Sequence, residues 1–155
     1  MSMFRSALLW ASQNQRLEGM VRSSRAMRPL VSRFMPGETI DDVLTATREL
    51  QAEGTPVVIT YLGENVTTET AADDTLAEYQ RLAAALKPMS DRAHVSIKLT
   101  QFGWDMHRDR ALDRVRILSR LVAESGSILA IDMEGSPYVE STVSAYEQLA
   151  GGARH

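Results

Sequence analysis

A chain of 155 residues, 44% apolar and 24% charged, suits one compact domain. It is too short for a closed eight-unit (β/α) barrel, which needs about 250 residues. Cysteine is absent, which excludes disulfides, thiolate metal sites and cysteine nucleophiles and suits a reducing cytosol. The formal net charge of −3 gives no support to nucleic-acid binding, and no run reaches the roughly 18 consecutive apolar residues of a membrane helix.

The charge is unevenly spread. Residues 1–35 hold six arginines (Arg5, Arg16, Arg22, Arg25, Arg28, Arg33) against one acid, Glu18, while the remainder holds 11 basic and 19 acidic residues. A basic head therefore precedes an acidic body. Residues 3–34 mix Met, Leu, Trp and Val with the arginines and predict one or two amphipathic helices ending before Pro36-Gly37. Three readings fit this head: a helical cap on the acidic body, a surface for anionic lipid, or an Arg- and Ser-rich targeting peptide.

From Glu38 the chain repeats one unit. Thr39, with Asp42 three residues on, predicts a capped helix start, and Ile40, Val43, Leu44, Thr47 and Leu50 follow at helical spacing as far as Gly54. Val57 to Leu62 is a β-branched run and predicts a strand. A second helix is expected over Thr70–Leu86, with Ala72, Leu76, Tyr79, Ala83 and Leu86 on one face, and a second strand over His94–Leu99. A third helix is expected over Asp109–Ala123, with Leu112, Val115, Leu118, Leu121 and Val122 facing inward, and a third strand over Ile128–Met133. Ser136 as N-cap and Pro137 at the first helical position predict a last helix, with Val139, Val143, Tyr146 and Leu149 apolar and Gly151-Gly152 closing it. Strand–helix alternation at this spacing means βαβ units and a parallel sheet. Right-handed crossovers gather the strand C-termini on one edge, where such sheets bind their ligands.

Charged residues fall on that edge. Gly63-Glu64 follows the first strand, Lys98 stands near the end of the second, and Asp132 and Glu134 end the third. By alternation, Ser96, Lys98 and Thr100 share one face, as do Ala130, Asp132 and Glu134, opposite the apolar set. A charge inside a sheet is costly unless paired or used. Either Lys98 forms a structural ion pair with Asp132 or Glu64, or the charges on the three strand ends make a ligand or catalytic pole. The three histidines have no ligand spacing, so no metal site is expected, and no Gly-rich phosphate loop or nucleophile triad is present. Trp104, after the second strand, is either a lid aromatic or a packing residue.

At these residues the chain resembles the proline dehydrogenase family in its small single-function bacterial form. The stretches that carry the likeness are Tyr61-Leu62-Gly63-Glu64, Val95-Ser96-Ile97-Lys98-Leu99-Thr100-Gln101-Phe102-Gly103 and Ile131-Asp132-Met133-Glu134-Gly135-Ser136-Pro137, with Phe34 to Thr39 before them. The SxKLTQxG and DMExSP strings are the specific ones, and the likeness runs from about Leu8 to Leu149. It implies an α/β fold, with a helical N-terminal arm over 1–36 and roughly half of a (β/α)8 TIM-like barrel with parallel strands over 37–155.

The resemblance also implies a function: non-covalent FAD, oxidation of L-proline to 1-pyrroline-5-carboxylate, and a membrane quinone as electron acceptor. A cytoplasmic protein at the periphery of the inner membrane follows from that acceptor. Lys98 would bind the proline carboxylate and Glu64 would be the acidic half of an ion-pair gate. Asp132 would orient the substrate arginines beside the flavin, and Met133 would join it in contacting the cofactor. The family's paired substrate arginines and most of its FAD contacts belong to a later half that has no counterpart among these residues. Two function classes are therefore expected: a proline-oxidising enzyme, completed by self-association or by pairing with a C-terminal half, or a truncated, non-catalytic half-barrel.

Overall fold

Thr39 and Asp42 cap each other at the start of the first helix. The Thr39 N–H donates to Asp42 Oδ2 and the Asp42 N–H to Thr39 Oγ1, both at 3.2 Å, so two amides that lack intrahelical partners are satisfied. The computed structural model describes residue 37, residues 39–89 and residues 91–152. The helical arm expected over residues 1–36, and with it the basic head, lies outside the described residues, as do residues 153–155. Contacts delimit two units, one up to Val43 and one from Leu44 on; the sheet belongs to the second.

The elements are α1 (Ile40–Ala52), β1 (Val57–Thr60), α2 (Glu69–Leu86), β2 (Ala93–Ile97), α3 (Arg108–Glu124), β3 (Leu129–Ile131) and α4 (Val139–Gly152). Short 3-10 turns at Lys87–Met89, Leu99–Phe102 and Ser136–Tyr138 separate them. The strands form one parallel sheet in the order β1-β2-β3. Val57 pairs with Ala93 and Thr60 with Ser96, while Val95 pairs with Leu129 and Ile97 with Ile131. The fold is thus the expected α/β alternation, with α2 and α3 as the crossovers.

Alternation along the strands separates two faces. Ala93, Val95 and Ile97 of the central strand are buried, as are Leu82 and Leu86 of α2 and Leu112, Val115, Leu118 and Val122 of α3. In β1, Val57 and Ile59 are half-buried, whereas Val58 and Thr60, of the other parity, are exposed. The two helices therefore cover one face, while on the other Val58 and Thr60 are exposed and Ser96 is buried. Arg114, buried on α3, ties this layer together. It donates to Asp73 Oδ1 at 2.8 Å, to Glu69 Oε2 at 2.5 Å and to the Phe102 carbonyl at 3.1 Å.

Several sequence expectations shift: the first strand ends at Thr60 instead of Leu62, and the third covers Leu129–Ile131 instead of Ile128–Met133. The second strand ends at Ile97 instead of Leu99, so Thr100 is not on the face of Ser96 and Lys98. The cause is local: the Gln101 side chain accepts from the Lys98 N–H at 3.1 Å and starts a 3-10 turn. The last helix begins at Val139, not Ser136, because Gly135 caps a separate turn that carries Pro137 in its opening residues. That helix packs through the small buried Thr142 and Ala145, while Val139, Val143 and Tyr146 are exposed; Leu121 of α3 is exposed as well.

Candidate active site

The strand-end edge is built by three segments that leave the sheet on the same side. β1 runs through Tyr61 and Gly63, whose φ of +151° lies in the glycine-favouring region, to Glu64. β2 runs through Lys98, still extended at φ −111° and ψ 135°, into the turn Leu99–Phe102. β3 continues its ladder by one residue, with the Asp132 N–H donating to the Ile97 carbonyl at 2.8 Å.

Lys98 Nζ donates to Glu64 Oε1 at 3.0 Å. The Glu64 carboxylate holds the Lys98 ammonium above its ordinary range, against an opposing pull from burial, and the charges of Asp132 and Glu134 add to the rise. The side chains are 25% and 58% exposed, so the pair is reached by solvent and by small molecules. Lys98 is charged at any physiological pH and keeps donors beyond the one given to Glu64.

Asp132 does not pair with Lys98; it accepts from the Ser96 hydroxyl. Ser96 is buried, so the bond fixes Asp132 on the face of the sheet away from the helices. Glu134 is fixed still more firmly. It accepts from the Thr100 N–H at 3.1 Å and from the Thr100 hydroxyl at 2.5 Å. Of the residues singled out in the sequence, Glu64, Lys98 and Asp132 are brought to one edge. Met133 is 56% exposed and forms no part of this cluster. Trp104 is buried and is a packing residue, with the Arg108 guanidinium 5.4 Å above its ring.

Sequence reasoning did not single out Gln101 or Tyr79 for the site. Gln101 accepts from the Lys98 N–H and donates to the Tyr61 and Gly63 carbonyls at 2.6 and 2.8 Å. The Tyr79 hydroxyl accepts from the Tyr61 N–H at 3.1 Å and lies 3.0 Å from the Ser96 carbonyl and 3.1 Å from Gln101 Oε1. Burial pushes the Tyr79 phenol above its ordinary range. A signal for Gln101 was present as a polar residue between the apolar Leu99 and Phe102; Tyr79 carried none beyond its place on the apolar face of the helix.

A parallel βα sheet with fixed charges on one strand-end edge places the chain among the α/β proteins, whose ligands commonly bind at that edge. The proline dehydrogenase family model matches residues 43–154, and the chain belongs to that family. It is 29% identical over 146 residues to proline dehydrogenase 1 of Bacillus subtilis strain 168, covering 94% of this chain and 48% of the relative. It is 26% identical over 158 residues to proline dehydrogenase of Deinococcus radiodurans, covering 99% of this chain and 50% of that protein. The chain thus spans about half the length of the curated relatives it matches. The structure resembles that of proline utilization A from Bdellovibrio bacteriovorus inactivated by N-propargylglycine, with a TM-score of 0.71 and 22% identity. The match covers 79% of this chain and 15% of that one, and it carries the TIM-like barrel fold. Among the described residues, no helix is long and apolar enough to cross a membrane.

Proposed function

We propose that this chain supplies the substrate-facing strand ends of a site that oxidises L-proline with a flavin. The observation that carries the reading is the Lys98–Glu64 pair, 3.0 Å long and solvent-accessible, on the ligand edge of a proline dehydrogenase family sheet. Proline is a zwitterion. Its carboxylate suits the Lys98 ammonium, and its own ammonium suits an edge that also carries Glu64, Asp132 and Glu134. When Glu64 turns away, Lys98 is released to the substrate; when it returns, the pair closes over the edge. Closure of that kind excludes water and competing reactions.

The family is generally flavin-dependent. The side-chain set at this edge suits the polar rim of a flavin ring, where the Asp132 carboxylate, locked by Ser96, can accept from a ring N–H and Lys98 can donate to a ring carbonyl. It does not fit a dinucleotide pyrophosphate, since three carboxylates stand beside one ammonium. FAD, when bound, would accept the two electrons that leave the CH–NH unit of proline. Asp132 and Lys98 would orient the substrate against it, Met133 would lie at its margin, and the phosphates would be held by residues other than these. A membrane quinone is the proposed final acceptor, with any membrane contact peripheral.

One observation favours the second reading, a half-barrel without activity of its own. β1 and β3 each have one neighbour among the described strands, and Val139, Val143 and Tyr146 form an exposed apolar stripe at i, i+4 and i+7 on α4. Further βα units would cover both features, whether from a complementary half or a second copy. The test is proline-dependent dye reduction after incubation with FAD, by the chain alone and mixed with the complementary half of a relative. Reduction that Lys98→Met abolishes supports the proposed site. Absence of reduction in both arms, or indifference to Lys98→Met, overturns it.

A further inference from the structure

Glu64 is the one residue between Gly63 and Val66 whose backbone stands between two separate anchors. On its N-terminal side, Gln101 donates to the carbonyls of Tyr61 and Gly63, and Tyr79 accepts from the Tyr61 N–H. On its C-terminal side, the N–H of Asn65 donates to Thr100 Oγ1 at 3.2 Å and the N–H of Val66 to the Thr100 carbonyl at 3.2 Å. Gln101 and Thr100 belong to the same buried 3-10 turn, which follows Lys98 directly, while Tyr79 reaches in from α2. Gln101 is 1% exposed, and its amide is fully used. The two N–H donors meet two carbonyls, while Oε1 accepts from the Lys98 N–H and lies within reach of the Tyr79 hydroxyl. A flipped or shortened side chain would lose contacts at both ends, so the arrangement has one orientation.

We infer that Gln101 is a positioning residue, clamping the 61–64 segment to the start of the turn so that Glu64 stands against Lys98. Its functional meaning rests on the reading of Lys98 and Glu64 given above. The clamp also sets how the pair opens. With the backbone pinned on both sides, Glu64 leaves Lys98 by rotation of its own exposed side chain, and the loop stays in place.

The test needs no activity. Lys98 Nζ reacts with acetic anhydride only as the neutral amine, so its labelling rate at pH 8 reads the hold of Glu64 on it. Glu64→Gln, which removes the carboxylate that holds Lys98 charged, is expected to raise that rate about threefold or more. Gln101→Leu is expected to do the same and to speed amide exchange in residues 61–66 while β2 stays protected. Leu118→Ala, a core truncation distant from the pair, should change neither. Tyr79→Phe, which conserves shape and removes the Tyr61 anchor, should give a smaller change in the same direction and serves where Gln101→Leu does not fold. A rise with Glu64→Gln but none with Gln101→Leu or Tyr79→Phe overturns the clamp and leaves the ion pair standing. No rise with Glu64→Gln means there is no pair to position, and both readings fall.

Discussion

Thr100 meets Glu134 twice, through its backbone N–H at 3.1 Å and its hydroxyl at 2.5 Å. The same hydroxyl accepts from the Asn65 N–H at 3.2 Å. One side chain therefore ties the loop after β1 to the loop after β3, across the turn that follows β2. Thr100→Val keeps the volume and removes the hydroxyl. It leaves the Asn65 N–H without its acceptor and Glu134 with one donor fewer, and the expected cost is about 1–2 kcal/mol. Urea unfolding of the two proteins measures it, and an unchanged midpoint would show that water replaces the hydroxyl fully.

The Lys98–Glu64 pair should behave in the opposite way. Both side chains are reached by solvent, so the pair is worth under about 1 kcal/mol to folding. Lys98→Met is therefore expected to shift the unfolding midpoint little and to abolish proline-dependent turnover wherever turnover is observed. A large loss of stability would instead make the pair structural, which is the alternative that the sequence left open. The sign for pH follows from the raised Lys98 value: its contribution is complete below about pH 10.5 and fades as the pH climbs through the higher folded value.

Most of the architecture was legible in the sequence because each element carried its own signal. The Thr39–Asp42 cap and the Gly54 stop each act over a few residues and appear where expected, and the β-branched run at Val57 starts its strand there but ends it two residues early, at Thr60. The charged edge was legible too, since alternation in a parallel sheet fixes which strand residues share a face. What was not legible depended on long-range partners. Alternation extended past Lys98 puts Thr100 on the face away from the helices, but the Gln101 side chain captures the Lys98 N–H and ends the strand. Asp132 and Glu64 were equal candidates for Lys98 by charge. Ser96 decides between them by taking Asp132, a choice made by a neighbouring strand and invisible in spacing. Likewise, the apolar periodicity of α4 was real, yet the helix packs on the small Thr142 and Ala145 instead.

Gly103 and Gly54 make a matched pair for backbone strain. Both have positive φ, +86° and +82°. A Cβ at Gly54 meets nothing within 4 Å, whereas one at Gly103 would lie 2.8 Å from Met106 Cε and 3.5 Å from Arg114 Nη1. Gly54→Ala should cost about 1 kcal/mol from the left-handed backbone alone. Gly103→Ala carries the same strain and must also displace Met106, so its loss should be larger. Thermal unfolding of the two variants separates the terms, and equal losses would show that the Met106 side chain moves aside freely.

Arg114 gives the largest expected loss. Its guanidinium is buried, reaches two acids on α2 and caps the Phe102 carbonyl at the end of the turn that carries Thr100 and Gln101. Arg114→Met removes the cation and leaves that carbonyl unpaired, at about 2 kcal/mol or more; the exposure of Asp73 keeps the figure below that of a fully buried pair. The acid side carries a second signature. Arg114 holds the Glu69 carboxyl below its ordinary 4.5, with Arg110 helping and burial opposing. A depressed folded value means that the stabilisation is complete above about pH 4.5 and is lost as the pH falls through the lower folded value. The wild-type protein should therefore lose stability below pH 4.5 more steeply than Arg114→Met, because the variant no longer holds Glu69 in its charged form. Parallel acid-unfolding curves for the two proteins would show no link between this arginine and Glu69.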